Sequence, residues 1–473
     1  NLHSDASQYE IYKPFVKRAW RVDRADLIAE ILEKAFHLAE SGQPGPVLVN
    51  VPMDIFSEVI SSDTFDRILD NMRSIIKPSI DDHTARDIIT KLANSKNPVS
   101  YVGGGILLSG ASDELREFID YMGLPVAHSL MGKGAISDEH PYLLGMTGFW
   151  GTKLTNDACL NADYILAIGT RFKEADCSSW YPGYTFNIPG SKVIHIDIEP
   201  SEIGRNYPTD IGVIADAKSA LCVLLRVAKE LYPEGFDRPK LREKIAKFKN
   251  AFIEKNTKMA TSNLFPMMPE RILADTRNAL PDDAIITTDV GWNKNGVGQQ
   301  FNILTPGSIL TPGGFATMGF GPPAAIGAKL ASPDKVVLSL VGDGGFGQNP
   351  AMLATAVELN LGIIWLIMNN NAFGTIAGLQ KAHYGITYGT TFPGTSEEPE
   401  NGPDYSKIAE AYGAVGIKIN SASELLPSLR GAIASNKPTV IDVAMINNPT
   451  PTTGHWNILD IYSPDKNVSH VST

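Results

Sequence analysis

Residues suited to a metal site stand at the two ends of one stretch of this sequence. The stretch GDGGFGQNPAMLATAVELNLGIIWLIMNNNAFG begins at Gly342, with Asp343 near its start and Asn370 near its end. A carboxylate and an amide oxygen suit Mg²⁺, which prefers oxygen ligands and commonly takes its others from phosphate and water. The neighbouring Gly344 and Gly345 allow backbone N–H groups to approach a phosphate closely. These residue types predict a Mg²⁺–diphosphate anchor.

The surrounding elements explain the separation of the two residues. KVVLSLVGDG has the pattern of a buried strand ending at Asp343, NPAMLATAVELN that of a helix, and GIIWLIMNN that of the next parallel strand. A right-handed crossover places the carboxyl ends of such strands side by side, where ligands of open α/β sheets bind. Asn370 follows Asp343 by 27 positions, which corresponds to one βαβ unit. A tight turn followed by an unrelated Asn-rich turn is the alternative, and it explains either motif alone better than both together.

Composition narrows the classes of partner. The chain has 473 residues, 43% of them apolar and 20% charged, and a formal net charge of −11. An acidic chain of this kind argues against nucleic acid or an anionic membrane as the main partner. No apolar run reaches the roughly 18 residues of a membrane span. Cys159, Cys177 and Cys222 form no CxxC pair, and the polar start resembles no signal peptide, so we expect a cytoplasmic protein without disulfides.

Helices and short apolar strands alternate along most of the chain, which predicts an α/β fold with mostly parallel sheets. We expect two three-layer αβα domains, at 79–230 and 263–450, joined by a charged helix at Arg238–Asn256. Residues 1–60 hold one αβ unit, a helix at Ala25–Gly42 and a strand at Gly45–Pro52, too small to be a domain alone. We therefore expect it to be the end of a larger amino-terminal domain. A linker follows it, and residues 451–473 form a tail that we interpret as a surface segment or lid.

Further motifs make the sequence resemble the thiamine diphosphate (ThDP)-dependent enzymes, in particular the acetolactate synthase group. GDG followed by NN resembles the family's cofactor signature, and TPGGFATMGFGPPAAIGAKLA its cofactor-facing segment. GGGILLSGASDELREF, LMGKGAISDEHP and KVIHIDIEPSEIGRN resemble the group's middle domain, and GQPGPVLVNVPMD the end of its pyrimidine-binding domain. The resemblance covers nearly the whole chain. It implies a thiamin diphosphate-binding fold for 263–450, a Rossmann-like middle domain, and a partial pyrimidine-binding domain at 1–60.

The resemblance implies roles for individual residues. Asp343 and Asn370 would ligate Mg²⁺ through their side chains, and Ala372 through its carbonyl oxygen. The other residues implied to contact the cofactor's diphosphate are Asn293, Gly342, Gly344, Gly345, Asn371, Ala372, Phe373, Gly374 and Thr375. The Ala316 carbonyl would accept from the 4′-amino group, and Met318 would support the bent cofactor so that its imino nitrogen lies beside the acidic C2–H. The cofactor would then be the electron sink for decarboxylation of a 2-oxo acid.

Some positions depart from the pattern of the group. RFKEA places Ala175 where an arginine is expected near the substrate, Leu379 replaces a tryptophan of the substrate channel, and Asn293 replaces a phosphate-facing histidine. These departures favour a different or bulkier acyl donor or acceptor. His383 is a candidate acid or base for catalysis, with a surface or packed histidine as the alternative. We interpret His128 and His195, at apparent strand ends, as structural.

The resemblance implies a ThDP- and Mg²⁺-dependent carboligase or lyase acting on a 2-oxo acid. A homodimer or tetramer is implied, because the family forms its active site between subunits. Gly104, Gly105 and the stretch Gly148–Gly151 match positions that contact FAD in some relatives, so FAD, another nucleotide or no ligand stay open for the middle domain. A 2-oxo acid decarboxylase or an acyl-CoA lyase is an alternative within the family. A non-catalytic cofactor-binding subunit is the alternative of another class, because the family's activating glutamate is expected upstream and no residue here matches it.

Overall fold

The computed structural model of the chain describes residues 8–61, 76–392 and 402–447, except for the side chains of Gln8, Ala382 and His383. Most of the linker expected after the amino-terminal unit, and the whole tail at 451–473, lie outside these ranges. Within them, no helix combines the length and the apolar character needed to cross a membrane.

The described strands fall into three parallel sheets. The strands are β1 (Ala19–Arg21), β2 (Leu48–Asn50), β3 (Pro98–Val102), β4 (Val126–His128), β5 (Leu143–Met146), β6 (Tyr164–Ile168), β7 (Lys192–Asp197), β8 (Ile211–Ile214), β9 (Ile285–Thr288), β10 (Ile309–Leu310), β11 (Val337–Gly342), β12 (Ile363–Asn369), β13 (Val415–Ile419) and β14 (Thr439–Ala444). The middle sheet has the order β5-β4-β3-β6-β7-β8, the carboxyl-terminal sheet the order β10-β9-β11-β12-β14-β13, and β1 pairs with β2.

Helices pack on both faces of the two large sheets. The α-helices are α1 (Gln8–Tyr12), α2 (Ile28–Glu40), α3 (Asp82–Asn94), α4 (Gly105–Leu108), α5 (Ser112–Met122), α6 (Lys153–Leu160), α7 (Glu174–Cys177), α8 (Ala217–Leu231), α9 (Pro239–Ala260), α10 (Pro269–Ala279), α11 (Trp292–Gln300), α12 (Gly321–Ala331), α13 (Asp343–Phe346), α14 (Met352–Glu358), α15 (Gly374–Tyr384), α16 (Tyr405–Ala411) and α17 (Ala422–Ser435). Short 3₁₀ helices occur at Lys13–Phe15, Ala25–Leu27, Ile55–Ser57, Leu130–Gly132 and Pro200–Glu202.

Local sequence explains where these elements begin and end. The side chain of Asp81 accepts from the N–H of Thr84 at 2.9 Å and so caps the start of α3. Proline at the first position of α9 costs no hydrogen bond, because that N–H has no partner in a helix anyway. The central strands β11 and β12 are apolar along nearly their whole length, as expected for parallel strands covered on both faces. The α/β class with mostly parallel sheets, predicted from the sequence, is thereby confirmed.

The amino-terminal unit differs from the sequence prediction in detail. The expected helix at Ala25–Gly42 begins as a 3₁₀ turn and continues as α2, and the expected strand at Gly45–Pro52 is only the three residues of β2. Its partner β1 was not predicted. Both strands have partly exposed side chains, because this small sheet has helical cover from few elements. His195 also differs, since it lies inside β7 rather than at its end, where its Nε2 contacts the carbonyl oxygen of Thr170 at 2.9 Å.

A buried ion pair of the middle domain lies where this domain meets the carboxyl-terminal domain. Lys133 Nζ lies 2.8 Å from Asp138 Oδ2, and their side chains are only 4% and 9% exposed. The N–H of Ile303 donates to the same carboxylate at 2.6 Å, and the N–H of Asp138 donates to the Ile303 carbonyl at 2.9 Å. Lys249 of α9 donates to the Asp138 carbonyl at 3.1 Å. We call these four residues the Asp138 junction, because three separate segments meet there.

His128 lies at the end of β4 close to this junction, with a side chain 2% exposed. Burial, with a smaller effect of Lys133, lowers its pKa from 6.5 to about 4. The folded state therefore binds fewer protons than the unfolded state between these pH values. Above pH 6.5 His128 is neutral in both states, and its titration costs the fold nothing. As the pH falls from 6.5 toward 4, protons bind to the unfolded state first, and the free energy of unfolding decreases.

We expect His128→Asn to reduce the acid sensitivity of the fold. Asparagine retains a donor near the Nδ1 position, which lies 2.8 Å from the Ser129 carbonyl, but it does not titrate. Between pH 7 and pH 4, wild type should lose about 3 kcal/mol more free energy of unfolding than the variant. Urea unfolding at a series of pH values measures this difference. His83→Asn, at an exposed position of α3, is the control and should follow wild type; equal acid sensitivity of wild type and His128→Asn would contradict the prediction.

Candidate metal and cofactor site

The parallel pairing of β11 and β12 brings the two predicted metal ligands together. Gly342 is paired with Met368 at the carboxyl ends of these strands, so Asp343 and Asn370 follow at the same sheet edge. The amide oxygen of Asn370 lies 3.3 Å from Asp343 Oδ1 and 3.0 Å from the Ala372 carbonyl oxygen. Asp343, Asn370 and Ala372 are all buried. Three oxygens from the three predicted ligands therefore converge on one point.

This donor set fits a hard divalent cation. Three buried oxygens facing one another without a hydrogen between them repel, and a cation among them would turn the repulsion into coordination. Without a cation, the Asn370 amide can instead rotate so that its nitrogen donates to Asp343 and to the Ala372 carbonyl. In the orientation with the oxygen inward, its nitrogen donates to Asn447 Oδ1 at 3.0 Å. Across the described chain, no three His, Cys, Asp or Glu side chains form a metal cluster, so this mixed set has no richer competitor there.

Burial makes the Asp343 carboxylate dependent on a positive partner. Desolvation raises its pKa from 3.8 to about 7, and the nearby Asp442 adds to this effect, while the N–H groups of Gly344 and Ala372 oppose it. A cation at this point would favour the ionised form again. The hydroxyl of Tyr405 donates to the Asp343 carbonyl at 3.1 Å and holds the start of α13.

A cavity of about 70 Å³ adjoins the three oxygens. Gly374, Thr375 and Ile376 lie in its wall and form the first turn of α15, whose N–H groups suit the oxygens of a phosphate. Gly344 has no space for a side chain, because an added Cβ would lie 2.6 Å from Phe373 Cε1 and 3.2 Å from Met318 Cε. The wall thus combines anion-binding backbone with the apolar side chains of Phe373 and Met318.

Most of the residues that the sequence pointed to lie in this wall. They are Asn293, Met318, Gly342, Asp343, Gly344, Gly345, Asn370, Ala372, Phe373, Gly374 and Thr375. Ala316 and Asn371 lie beside the cavity rather than in its wall, and both have positive φ angles, +51° and +48°. The Asn371 carbonyl accepts from the N–H of Phe392 at 2.9 Å, which supports the loop. His383 belongs to α15, but its side chain is outside the described part.

Two residues at the end of β9 and the residue after it, Thr287, Thr288 and Asp289, were not singled out by the sequence analysis. The Thr287 hydroxyl donates to the Gly321 carbonyl at 2.9 Å, and the Thr288 hydroxyl to Thr311 Oγ1 at 2.8 Å. The Asp289 carboxylate accepts from backbone N–H groups around it. The sequence offered one signal, an aspartate directly after an apolar strand, because residues that follow parallel strands lie at the ligand-binding edge of an open α/β sheet.

A larger cavity, of about 540 Å³, lies at the carboxyl ends of the middle-domain strands. Gly105, Gly169, Arg171 and Asp197 line it from the middle domain, and residues 33–44 cover it from the amino-terminal unit. Its position is where open α/β sheets bind nucleotides, and its size is typical of small-molecule sites.

The glycines proposed for FAD divide between this cavity and another place. Gly105 lines the cavity, whereas neither Gly104 nor the stretch Gly148–Gly151 is part of the wall. Gly148 instead packs on α7, where an added Cβ would lie 2.3 Å from the Ala175 carbonyl oxygen. The Asn156 amide bonds both backbone groups of Gly148, at 2.8 Å and 3.0 Å.

Comparison with known proteins assigns the two large domains. Residues 85–224 match the family model described as "Thiamine pyrophosphate enzyme, central domain", and residues 289–443 match "Thiamine pyrophosphate enzyme, C-terminal TPP binding domain". Thiamine pyrophosphate is another name for ThDP.

Relatives that match over most of this chain agree with these matches. The chain is 34% identical over 443 residues to the probable acetolactate synthase large subunit of Methanocaldococcus jannaschii, covering 92% of this chain and 72% of that protein. It is 31% identical over 442 residues to the acetolactate synthase isozyme 3 large subunit of Escherichia coli K12, covering 92% and 74%. The acetolactate synthase large subunit of Cyanidium caldarium is 31% identical over 445 residues, which cover 92% of this chain and 72% of that protein. The resemblance inferred from the motifs is confirmed: the chain belongs to the thiamine diphosphate-dependent enzymes, in their acetolactate synthase-like group.

Proposed function

We propose that this enzyme binds ThDP through Mg²⁺ at Asp343, Asn370 and the Ala372 carbonyl, and acts as a carboligase or lyase on a 2-oxo acid. The observation that carries the proposal is the convergence of these three oxygens beside a cavity walled by a helix N-terminus. Mg²⁺ prefers such oxygens and shares its remaining positions with phosphate and water. When bound, ThDP supplies the electron sink for decarboxylating the 2-oxo acid.

The residues of this chain would position the bound cofactor and enclose it. The N–H groups at the start of α15 would hold the diphosphate, and Asn293 lines the same cavity, where its amide N–H would donate to it. Met318 lies against Gly344 and would support the bent form of the cofactor. His383 remains a candidate acid or base in this proposal.

We further propose that a second copy of the chain covers the site. Large apolar side chains near the cofactor loops are exposed, among them Phe315 at 94%, Tyr388 at 87% and Ile386 at 69%. Leaving such side chains in water is unfavourable, and a subunit interface would bury them. A homodimer or tetramer is the assembly that this surface supports.

The middle-domain cavity supports a nucleotide, of which FAD is one option. The Asp197 carboxylate at the end of β7 suits ribose hydroxyls, and the Arg171 guanidinium suits phosphate oxygens. A flavin absorbance that co-purifies with the protein would identify FAD, and an adenine nucleotide without it would indicate another ligand.

Acetolactate synthase is the activity named for the relatives, and it supports carboligation as the reaction of this chain. The test is to incubate the protein with ThDP, Mg²⁺ and pyruvate and to identify the products. We expect a 2-hydroxy-2-alkyl-3-oxo acid, formed by transfer of the acyl unit to a second 2-oxo acid. Free aldehyde without the ligated product would contradict carboligation and favour a simple decarboxylase.

A further inference from the structure

The segment between β10 and α12 passes the cofactor cavity and is held in place by residues at the end of β9. Residues 311–321 leave β10, pass the cavity with Met318 and enter α12. The middle of the segment has little support of its own: Phe315 is 94% exposed, and Ala316 has a φ of +51°, which is unfavourable for a residue with a Cβ. Something outside the segment must therefore fix its path.

The three consecutive residues Thr287, Thr288 and Asp289 fix both ends. At the start of the segment, the Thr288 hydroxyl donates to Thr311 Oγ1 at 2.8 Å. At its end, the N–H of Gly319 donates to Asp289 Oδ1 at 3.2 Å, and the N–H of Gly321 donates to Asp289 Oδ2 at 2.9 Å.

Two further contacts complete the arrangement. The Thr287 hydroxyl donates to the Gly321 carbonyl at 2.9 Å. All three side chains are 0% exposed, so water does not compete for these bonds. We call Thr287, Thr288 and Asp289 the β9 clasp.

The Asp289 carboxylate also contacts the loop of residues 342–345, which we call the Asp343 loop. A Cβ added to Gly345 would lie 2.5 Å from Asp289 Oδ1, so the glycine backbone packs directly on Asp289. Asp289 Oδ1 accepts from the N–H of Val290 as well, at 2.8 Å. The negative charge lies at the N-terminus of α12, where the helix dipole stabilises it. The buried side chain of Asp289 thus contacts the segment 311–321, the start of α12 and the Asp343 loop.

We propose that the β9 clasp is a set of positioning residues that holds Met318 in register with the Asp343 loop. The proposal rests on the proposed function in one respect, namely that ThDP occupies the space between Met318 and this loop. Its physical content is independent of the cofactor: the clasp limits the motion of residues 311–321. Loss of one buried hydrogen bond, with its partner left unpaired, should increase local opening about tenfold.

The first test uses the cofactor-free protein. Amide hydrogen exchange of residues 313–320 reports opening of the segment. We expect Thr288→Val and Asp289→Asn to speed this exchange about tenfold. Thr288→Ser, which keeps the hydroxyl, should behave as wild type.

Thr276→Val is the matched control. Thr276 is also 0% exposed, but its hydroxyl donates at 2.7 Å to the Ile272 carbonyl within α10, away from the segment. It should lower the melting temperature without changing exchange at 313–320. Unchanged exchange in both Thr288→Val and Asp289→Asn would overturn the proposal. If Asp289→Asn does not fold, the Thr288→Val and Thr288→Ser pair decides alone.

The second test uses protein saturated with Mg²⁺ and ThDP, and measures exchange of the cofactor's C2–H. We expect about tenfold slower exchange in Thr288→Val at full occupancy, with wild-type exchange in Thr276→Val and Thr288→Ser. Faster opening of the segment with unchanged C2–H exchange would overturn the positioning role. Failure of wild type to bind ThDP would instead contradict the proposed function, and the cofactor-free test would still decide the clasp.

Discussion

Asp343→Asn is expected to abolish Mg²⁺-dependent binding of ThDP while leaving the fold intact. The substitution retains the shape of the side chain but removes the one formal negative charge from the three converging oxygens. Changing groups that only orient metal ligands typically costs 10–100-fold in affinity, so loss of the charged ligand itself should cost more than about 100-fold. Isothermal calorimetry, with Mg²⁺ titrated into protein at a fixed ThDP concentration, measures the loss of affinity.

The fold should tolerate this change because Asp343 stabilises it little without metal. Burial raises the pKa of Asp343 to about 7, which means that ionising it in the metal-free folded state is unfavourable. We therefore expect the metal-free variant to melt within a few degrees of wild type at pH 8. Asp334→Asn, at an exposed turn before β11, is the control and should bind Mg²⁺ and ThDP as wild type does. Wild-type cofactor affinity in Asp343→Asn would refute the assignment of the metal site.

The meeting of Asp343 and Asn370 at one sheet edge was predictable because both residues belong to one continuous stretch. Strand and helix patterns between Asp343 and Asn370 predict a βαβ unit, and the geometry of that unit determines that their side chains meet. The parallel α/β class followed in the same way from alternating helix and strand patterns.

The contacts that join distant segments were not predictable in this way. Asp289 meets Gly319 and Gly321, about 30 positions away, and Asp138 meets Ile303 across 165 positions. Nothing in the residues near Asp138 specifies which backbone N–H will reach its carboxylate, because tertiary packing selects the partner. The short strand β1 was missed for a related reason: three half-exposed residues show no periodic pattern, and only pairing with β2 makes them a strand.

The second large effect is expected at the Asp138 junction, where Asp138→Ala should destabilise the protein by about 3–5 kcal/mol. The substitution leaves the Lys133 ammonium buried without its counter-ion and the N–H of Ile303 without its acceptor. Both losses occur where the middle and carboxyl-terminal domains meet. Urea unfolding followed by tryptophan fluorescence measures the change in the free energy of unfolding.

Removing the charge of Lys133 as well should recover much of that loss. In Lys133→Met/Asp138→Ala the Lys133 ammonium is gone, and the partly exposed Lys249 keeps the carbonyl oxygen of residue 138 as its acceptor. We therefore expect the double variant to be at least about 2 kcal/mol more stable than Asp138→Ala alone. Asp113→Ala is the control, because its pair with Arg116 is on the surface and Asp113 is 87% exposed, so its loss should change little. A cost below about 1 kcal/mol for Asp138→Ala would mean that solvent reaches Lys133 in the variant. The stability of the junction would then depend on its backbone hydrogen bonds rather than on the ion pair.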